Sequence, residues 1–214
     1  MKVLVVGGNG QIGSLFLEQV RESTDWDPVA MIRKKEQADK FDQMGVSTVV
    51  GDLEWPVEEL EKVVQGHDAV VFTAGSGGST GADKTLLIDL DGAVKMMQAA
   101  ENQNISRFVM VSALGASSRD RWNADLKPYY VAKHFADDAL VRSSLDYTIV
   151  RPGRLLNEKG TGRIEVGEEV ERASIPRADV ASALIEVLRQ PGTIGKSFDL
   201  ISGEQDISKA IEAL

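Results

Sequence analysis

Cysteine is absent from the 214 residues. That absence excludes disulfides, thiol nucleophiles, thiolate metal sites and iron–sulfur clusters, and it fits a reducing compartment. Only two histidines occur, His67 and His134. A multi-histidine metal site is therefore excluded, and both read as surface residues rather than catalysts. No apolar run approaches the roughly 18 residues of a membrane span. The apolar stretch that opens the chain is too short for a signal peptide. Positive charge is also scarce: 24 Lys and Arg against 33 Asp and Glu leave a net −9. A nucleic-acid or anionic-membrane surface needs clustered cations, so both are disfavoured. The expectation is a cytoplasmic protein with a small-molecule substrate, no nucleic acid and no membrane partner. A small anionic ligand in a local cationic pocket remains compatible with an acidic total.

Short β-rich runs alternate with longer helical patterns. The strands are predicted at 2–6, 29–32, 48–50, 69–72, 108–112, 147–150 and 197–201. Most are continuous Val, Ile and Phe runs, which marks strands covered on both faces, as in a parallel sheet. Helices are predicted at 11–22, 36–44, 57–65, 83–102, 129–143, 177–190 and 206–214. In the fourth, Leu86, Leu90, Val94 and Met97 recur at helical spacing and read as one core-facing stripe. The alternation predicts a doubly wound Rossmann α/β fold with a central parallel sheet of about seven strands and helices on both faces. At roughly 150 residues per domain, 1–214 reads as a single dinucleotide-binding domain with a small substrate-side portion near 151–214. Irregular stretches at 75–81, 113–128 and 155–176 follow strand ends, where such sheets build their sites. The last includes a short strand candidate at 162–166.

Twenty glycines are above average usage, and three fall in a pattern. Gly7, Gly10 and Gly13 form GxxGxxG between the first strand and the first helix. The first permits a tight turn, the second lets a pyrophosphate approach the backbone, and the third lets helix and strand pack closely. The second strand ends in Arg33-Lys34-Lys35. An Asp or Glu there binds the ribose 2′-hydroxyl of NAD, whereas a cationic cluster suits the 2′-phosphate of NADP. NADP(H) is therefore expected over NAD(H), the alternative being a solvated charge run that opens a helix. After the third strand, Asp52 and Leu53 have two readings: hydrogen bonding and packing to adenine, or an N-cap that opens the next helix. Thr73, Ala74 and Gly75 at the fourth strand end leave room for ribose and pyrophosphate. The glycine-rich loop that follows either folds over the cofactor or is simply flexible.

The fifth strand ends at Ser112, and Tyr129 and Lys133 follow as YxxxK. On a helix, positions i and i+4 share a face. A neighbouring ammonium favours phenolate and is expected to lower the tyrosine pKa. Tyr129 then exchanges a proton with a substrate oxygen, Ser112 orients that oxygen, and Lys133 supports both. The bland alternative is a surface pair on an amphipathic helix. Pro152 and Gly153 end the sixth strand in a turn that allows close backbone approach, either beside a nicotinamide or as an ordinary strand stop. Leu114, Trp122, Arg154 and Leu155 are candidates for the substrate side. Arg177 either approaches the site or only caps its helix.

These stretches resemble the short-chain dehydrogenase/reductase superfamily, in its atypical NAD(P)H-binding branch with NmrA-like and flavin- or biliverdin-reductase-like proteins. The match runs in order over VLVVGGNGQIG, MIRK, GDL, DAVVFTAG, RFVMVSALG, YYVAK, LDYTIVRPG and IPRADVA. The resemblance implies NAD(P) held by Gly7, Gly10, Gln11, Ile12 and Gly13, with Arg33 at the adenosine phosphate and Asp52 and Leu53 at adenine. Ser112, Tyr129 and Lys133 match its catalytic trio, and Pro152 and Gly153 its nicotinamide-side turn. Asp89 stands near where many relatives carry a structural Asn. The stretch after the sixth strand is too short for the large substrate domain of the nucleotide-sugar epimerase branch. Two functions follow. One is an NADP(H)-dependent oxidoreductase that reduces a carbonyl, quinone or flavin-type acceptor. The alternative is a non-catalytic NADP(H)-binding sensor acting through a protein partner.

Overall fold

The computed structural model describes residues 1–78 and 80–214. Ser79, within the predicted 75–81 loop, lies outside the described residues. The chain opens with β1 (Lys2–Val6), α1 (Gln11–Val20), β2 (Asp27–Ile32), α2 (Ala38–Asp42), β3 (Ser47–Val50), α3 (Val57–Val64) and β4 (Ala69–Phe72). One long helix follows in three parts: α4 (Ala82–Lys84), a wide π-helical segment Thr85–Gly92, and α5 (Ala93–Asn102). Then come β5 (Arg107–Val111), α6 (Lys127–Arg142), β6 (Asp146–Pro152), β7 (Arg154–Leu156), β8 (Arg163–Gly167), β9 (Ser174–Pro176), α7 (Arg177–Arg189), β10 (Lys196–Ser202), β11 (Gln205–Asp206) and α8 (Ile207–Glu212).

Among the described residues the main sheet has nine strands, in the order β11-β8-β10-β6-β5-β4-β1-β2-β3. The seven from β3 to β10 are parallel, and β8 and β11 close one edge antiparallel. The expected Rossmann class is met, with more strands than the seven anticipated. The 162–166 candidate is β8. The strand β11 is two residues long and runs directly into α8, too short to show a periodicity. The strands β7 and β9 pair separately as a parallel two-stranded sheet.

β1 illustrates why these runs become central strands. Val3 and Val5 face one apolar layer with α1, α7 and α8, while Leu4 and Val6 face the other with α3, α5 and α6. Each is essentially fully buried, worth about 1.5–3 kcal/mol per side chain. A strand buried on both faces has no polar alternation to show.

The predicted apolar stripe on the fourth helix is corrected at Leu86, which is 47% exposed. The buried face of this helix, part of which is π-helical, passes through Thr85, Asp89 and Gly92 instead, and continues to Met96 and Met97. That face carries a buried carboxylate, Asp89. No helix among the described residues is long and apolar enough to cross a membrane.

Candidate functional site

The strand order reverses beside β1, which pairs with β2 on one side and β4 on the other. In such sheets the crevice at this switch point receives ligands. A cleft of about 410 Å³ opens there. Its walls include Gly7, Asn9, Gly10, Arg33, Gln37, Asp52, Leu53, Thr73, Ala74 and Gly75. Gly7 has φ +88°, and a Cβ on it would lie 2.6 Å from the Ala74 backbone nitrogen. Only glycine fits where the turn crosses the end of β4. A Cβ on Gly13 would strike the Gly7 carbonyl oxygen, so α1 packs directly on the turn. Thr73 donates from both its backbone N–H and its hydroxyl to the Val6 carbonyl, at 2.8 and 3.0 Å.

The chemistry of these walls fits an NAD(P)H adenosine end. Met31, Leu53 and Ile88 supply apolar surface, Arg33 a cation, and the glycine turn bare backbone beside a helix N-terminus. Asp52 does not cap α3, whose N-cap is Pro56. Its carboxylate accepts the Glu54 N–H at 3.0 Å, within a local turn. Glu54 in turn pairs with Lys84 at 2.5 Å across the cleft's mouth. Gln11, Ile12 and Gly13 sit behind the turn on α1 and do not line the cleft. Lys34 and Lys35 are exposed beside it.

The second cluster lies at the ends of β5 and β6. Tyr129, Lys133 and Asp137, four residues apart, share one face of α6. Lys133 is buried, its ammonium 3.1 Å from Asp89 and 3.3 Å from the Val111 carbonyl. Asp89 also accepts the Ser76 N–H at 2.9 Å, tying α6 to the segment after β4. Burial alone would lower the Lys133 pKa, but Tyr129 and Asp89 hold it above its ordinary value. The expected drop in the Tyr129 pKa is corrected. Burial pushes the phenol above 10, and Asp89 adds to this, outweighing the opposing pull of Lys133. The Asp89 carboxylate that pairs with the ammonium offsets part of its pull on the phenol.

Asp137 and Arg151 form a second buried pair at 2.7 Å, which the sequence reading did not single out. Burial raises the Asp137 pKa, while Arg151, the adjacent Ser112 hydroxyl and Lys133 hold it back. The Ser112 hydroxyl and one Asp137 oxygen are both buried and neither completes a well-formed hydrogen bond. The two polar groups face each other across the contact between α6 and the end of β5. One residue beyond Arg151, Pro152 ends β6 and Gly153 follows, where a Cβ would strike the Ala173 carbonyl.

Trp122 stacks on Tyr130 with ring centroids 6.2 Å apart, and Arg172 donates to the Tyr130 hydroxyl at 3.1 Å and to the Arg121 carbonyl. Arg121 pairs with the fully buried Asp199 at 2.8 Å. The loop 113–128 is thereby stapled to the strand-end region. Leu114 packs with Val170 and Ile201, while Arg177 donates to Asn157 at 2.7 Å. Arg154 is exposed and Leu155 half-buried. The histidines lie partly at the surface. Both are half-buried, with His67 Nδ1 3.0 Å from the Val64 carbonyl and His134 Nδ1 2.8 Å from that of Ala116.

A family model described as NAD(P)H-binding matches residues 7–191. The chain is 48% identical to a Bacillus subtilis protein named "uncharacterized sugar epimerase YhfK", covering all of both chains. It superposes on a putative NAD-dependent epimerase/dehydratase from Bacillus halodurans with a TM-score of 0.93, 45% identity and full coverage of both. It also superposes on ChuY, an anaerobillin reductase from Escherichia coli O157:H7, with a TM-score of 0.81 and 25% identity over 96% of this chain and 99% of that one.

Proposed function

Because the chain belongs to the NAD(P)H-binding family of Rossmann-fold oxidoreductases, we propose that it is an NADPH-dependent reductase of a small carbonyl, quinone or flavin-type acceptor. The observation that carries this reading is the Tyr129 phenol, kept protonated by burial beside a Lys133 whose charge Asp89 already answers. A phenol in that state gives a proton and does not take one near neutral pH. The reading assigns Gly7 and Gly10 to the pyrophosphate, with Gln11, Ile12 and Gly13 supporting that turn from the start of α1, Arg33 to the 2′-phosphate, and Asp52 and Leu53 to adenine. Thr73, Ala74 and Gly75 border the ribose and pyrophosphate, and Pro152 and Gly153 the nicotinamide.

When bound, the cofactor supplies a hydride to the acceptor carbon. Tyr129 protonates the oxygen that becomes negative, so a carbonyl leaves as an alcohol and the phenol is refilled from solvent. Ser112 positions that oxygen. Lys133 holds the Tyr129 ring environment through its approach at 5.8 Å to the ring centroid. The reductase named among the structural neighbours supports this direction. The epimerase names of other relatives imply a step in which a base accepts a sugar hydroxyl proton, and the burial that raises the Tyr129 pKa works against that role.

The test is NADPH oxidation against a panel of carbonyl and quinone acceptors, with Tyr129→Phe alongside. Carbonyl reduction that survives Tyr129→Phe undiminished would remove the proposed acid. Tight NADPH binding without turnover on any acceptor would favour the sensor alternative.

A further inference from the structure

We propose that Gln37 is a cofactor-specificity residue, presenting its side-chain nitrogen beside Arg33 as a second donor to the 2′-phosphate of NADP. This inference rests on the cofactor reading above and adds a residue to it.

The Gln37 amide is held by its oxygen. Its Oε1 accepts two backbone N–H groups at the end of β2, those of Arg33 at 2.9 Å and Lys34 at 3.0 Å. A backbone N–H only donates, so two of them converging on one terminal atom identify that atom as the oxygen. The Gln37 backbone N–H also donates to the Lys34 carbonyl at 3.0 Å. Both ends of the residue are thus fixed, and little side-chain entropy remains to be lost on binding.

With the oxygen occupied twice, the amide has only its Nε2 hydrogens left to offer. Nε2 donates to no other group among the described residues. Gln37 is half-buried and lines the cleft together with Arg33, Asn9 and Ile32. A fixed neutral donor next to a guanidinium suits an anionic oxygen, which accepts more strongly than a neutral hydroxyl.

One substitution separates this role from mere turn capping. In Gln37→Glu the carboxylate still accepts the Arg33 and Lys34 N–H groups and keeps the shape. It exchanges the outward NH2 for a negatively charged oxygen. That oxygen repels a 2′-phosphate and accepts from a ribose 2′-hydroxyl, the role acidic residues take after β2 in NAD sites. If the second terminal atom of Gln37 is turned away from the 2′ position and the residue only caps the turn, the new charge stays distant, Gln37→Ala spares the NADP+/NAD+ ratio, and cofactor preference scarcely moves in either variant.

Isothermal titration with NADP+, NAD+, 2′,5′-ADP and 5′-AMP tests this on the intact chain without any acceptor. The wild type is expected to bind NADP+ about tenfold or more tighter than NAD+, with 2′,5′-ADP likewise over 5′-AMP. Gln37→Glu should cut both ratios by about tenfold or more while leaving the thermal midpoint without nucleotide within about 2 °C. Gln37→Ala should weaken NADP+ several-fold and NAD+ less than about twofold. Unchanged ratios in both variants overturn the Gln37 role and leave the NADP reading standing. A wild type without NADP+ preference overturns both.

Discussion

The Lys133 ammonium and the Asp89 carboxylate meet at 3.1 Å, and both side chains are almost wholly buried. This pair joins α6 to the π-helical segment and governs the charge felt by Tyr129. Removing one partner of a buried pair strands the other, at about 3–5 kcal/mol. Asp89→Ala is therefore expected to lower the urea midpoint strongly, while Asp89→Asn, which can still accept from Lys133, should lose less. The chemistry should respond too. The Asp89 charge raises the Tyr129 pKa, so Asp89→Asn should move the alkaline limb of the NADPH-dependent rate to lower pH. In the wild type that rate should stay level through neutrality and fall only above pH 10. An alkaline limb identical in wild type and Asp89→Asn would dissociate the pair from the phenol.

Gly7 and Arg33 test the two ends of the cofactor cleft separately. Gly7→Ala forces a Cβ against the end of β4 at a positive φ. It should cost about 1–3 kcal/mol of stability and weaken NADP+ and NAD+ alike. Arg33→Asp leaves the turn intact and should weaken NADP+ far more than NAD+, read by nucleotide titration. Equal weakening by Arg33→Asp would remove the 2′-phosphate assignment.

His67 makes a prediction away from the site. Burial lowers its pKa from 6.5, partly offset by its contact to the Val64 carbonyl. The unfolded chain therefore binds the proton more readily, and stability falls as pH drops below 6.5. His67→Asn should flatten urea midpoints between about pH 5 and 6.5 relative to wild type. Parallel curves would locate the acid sensitivity elsewhere.

The residues that announced themselves in the sequence are those whose role is local. The β1 run is apolar throughout because both of its faces are covered. GxxGxxG is spaced by one turn and one helix start, and Tyr129 and Lys133 by one helical turn. What the sequence hid depends on distant approach. Asp89 meets Lys133 because α6 packs against the π-helical segment, and following the apolar residues alone points Leu86 inward instead of the stripe through Thr85, Asp89 and Gly92. Asp137 looked like an ordinary helical carboxylate until β6 brought Arg151 against it. Gln37 falls inside the predicted 36–44 helix with nothing to single it out, because its hydrogen bonds run backward to the end of β2. The strands β7 and β9, three residues each, are defined by their mutual pairing, and no run so short carries a pattern.

The most direct test of the proposed reaction is a kinetic comparison of wild type and Tyr129→Phe, with NADPH and the best carbonyl acceptor from the panel. Nucleotide affinity is measured in parallel. The predicted result is a fall in kcat of about 10²-fold or more with NADPH affinity unchanged. Equal kcat in the two proteins, or no acceptor reduced by a wild type that binds NADPH tightly, would contradict it.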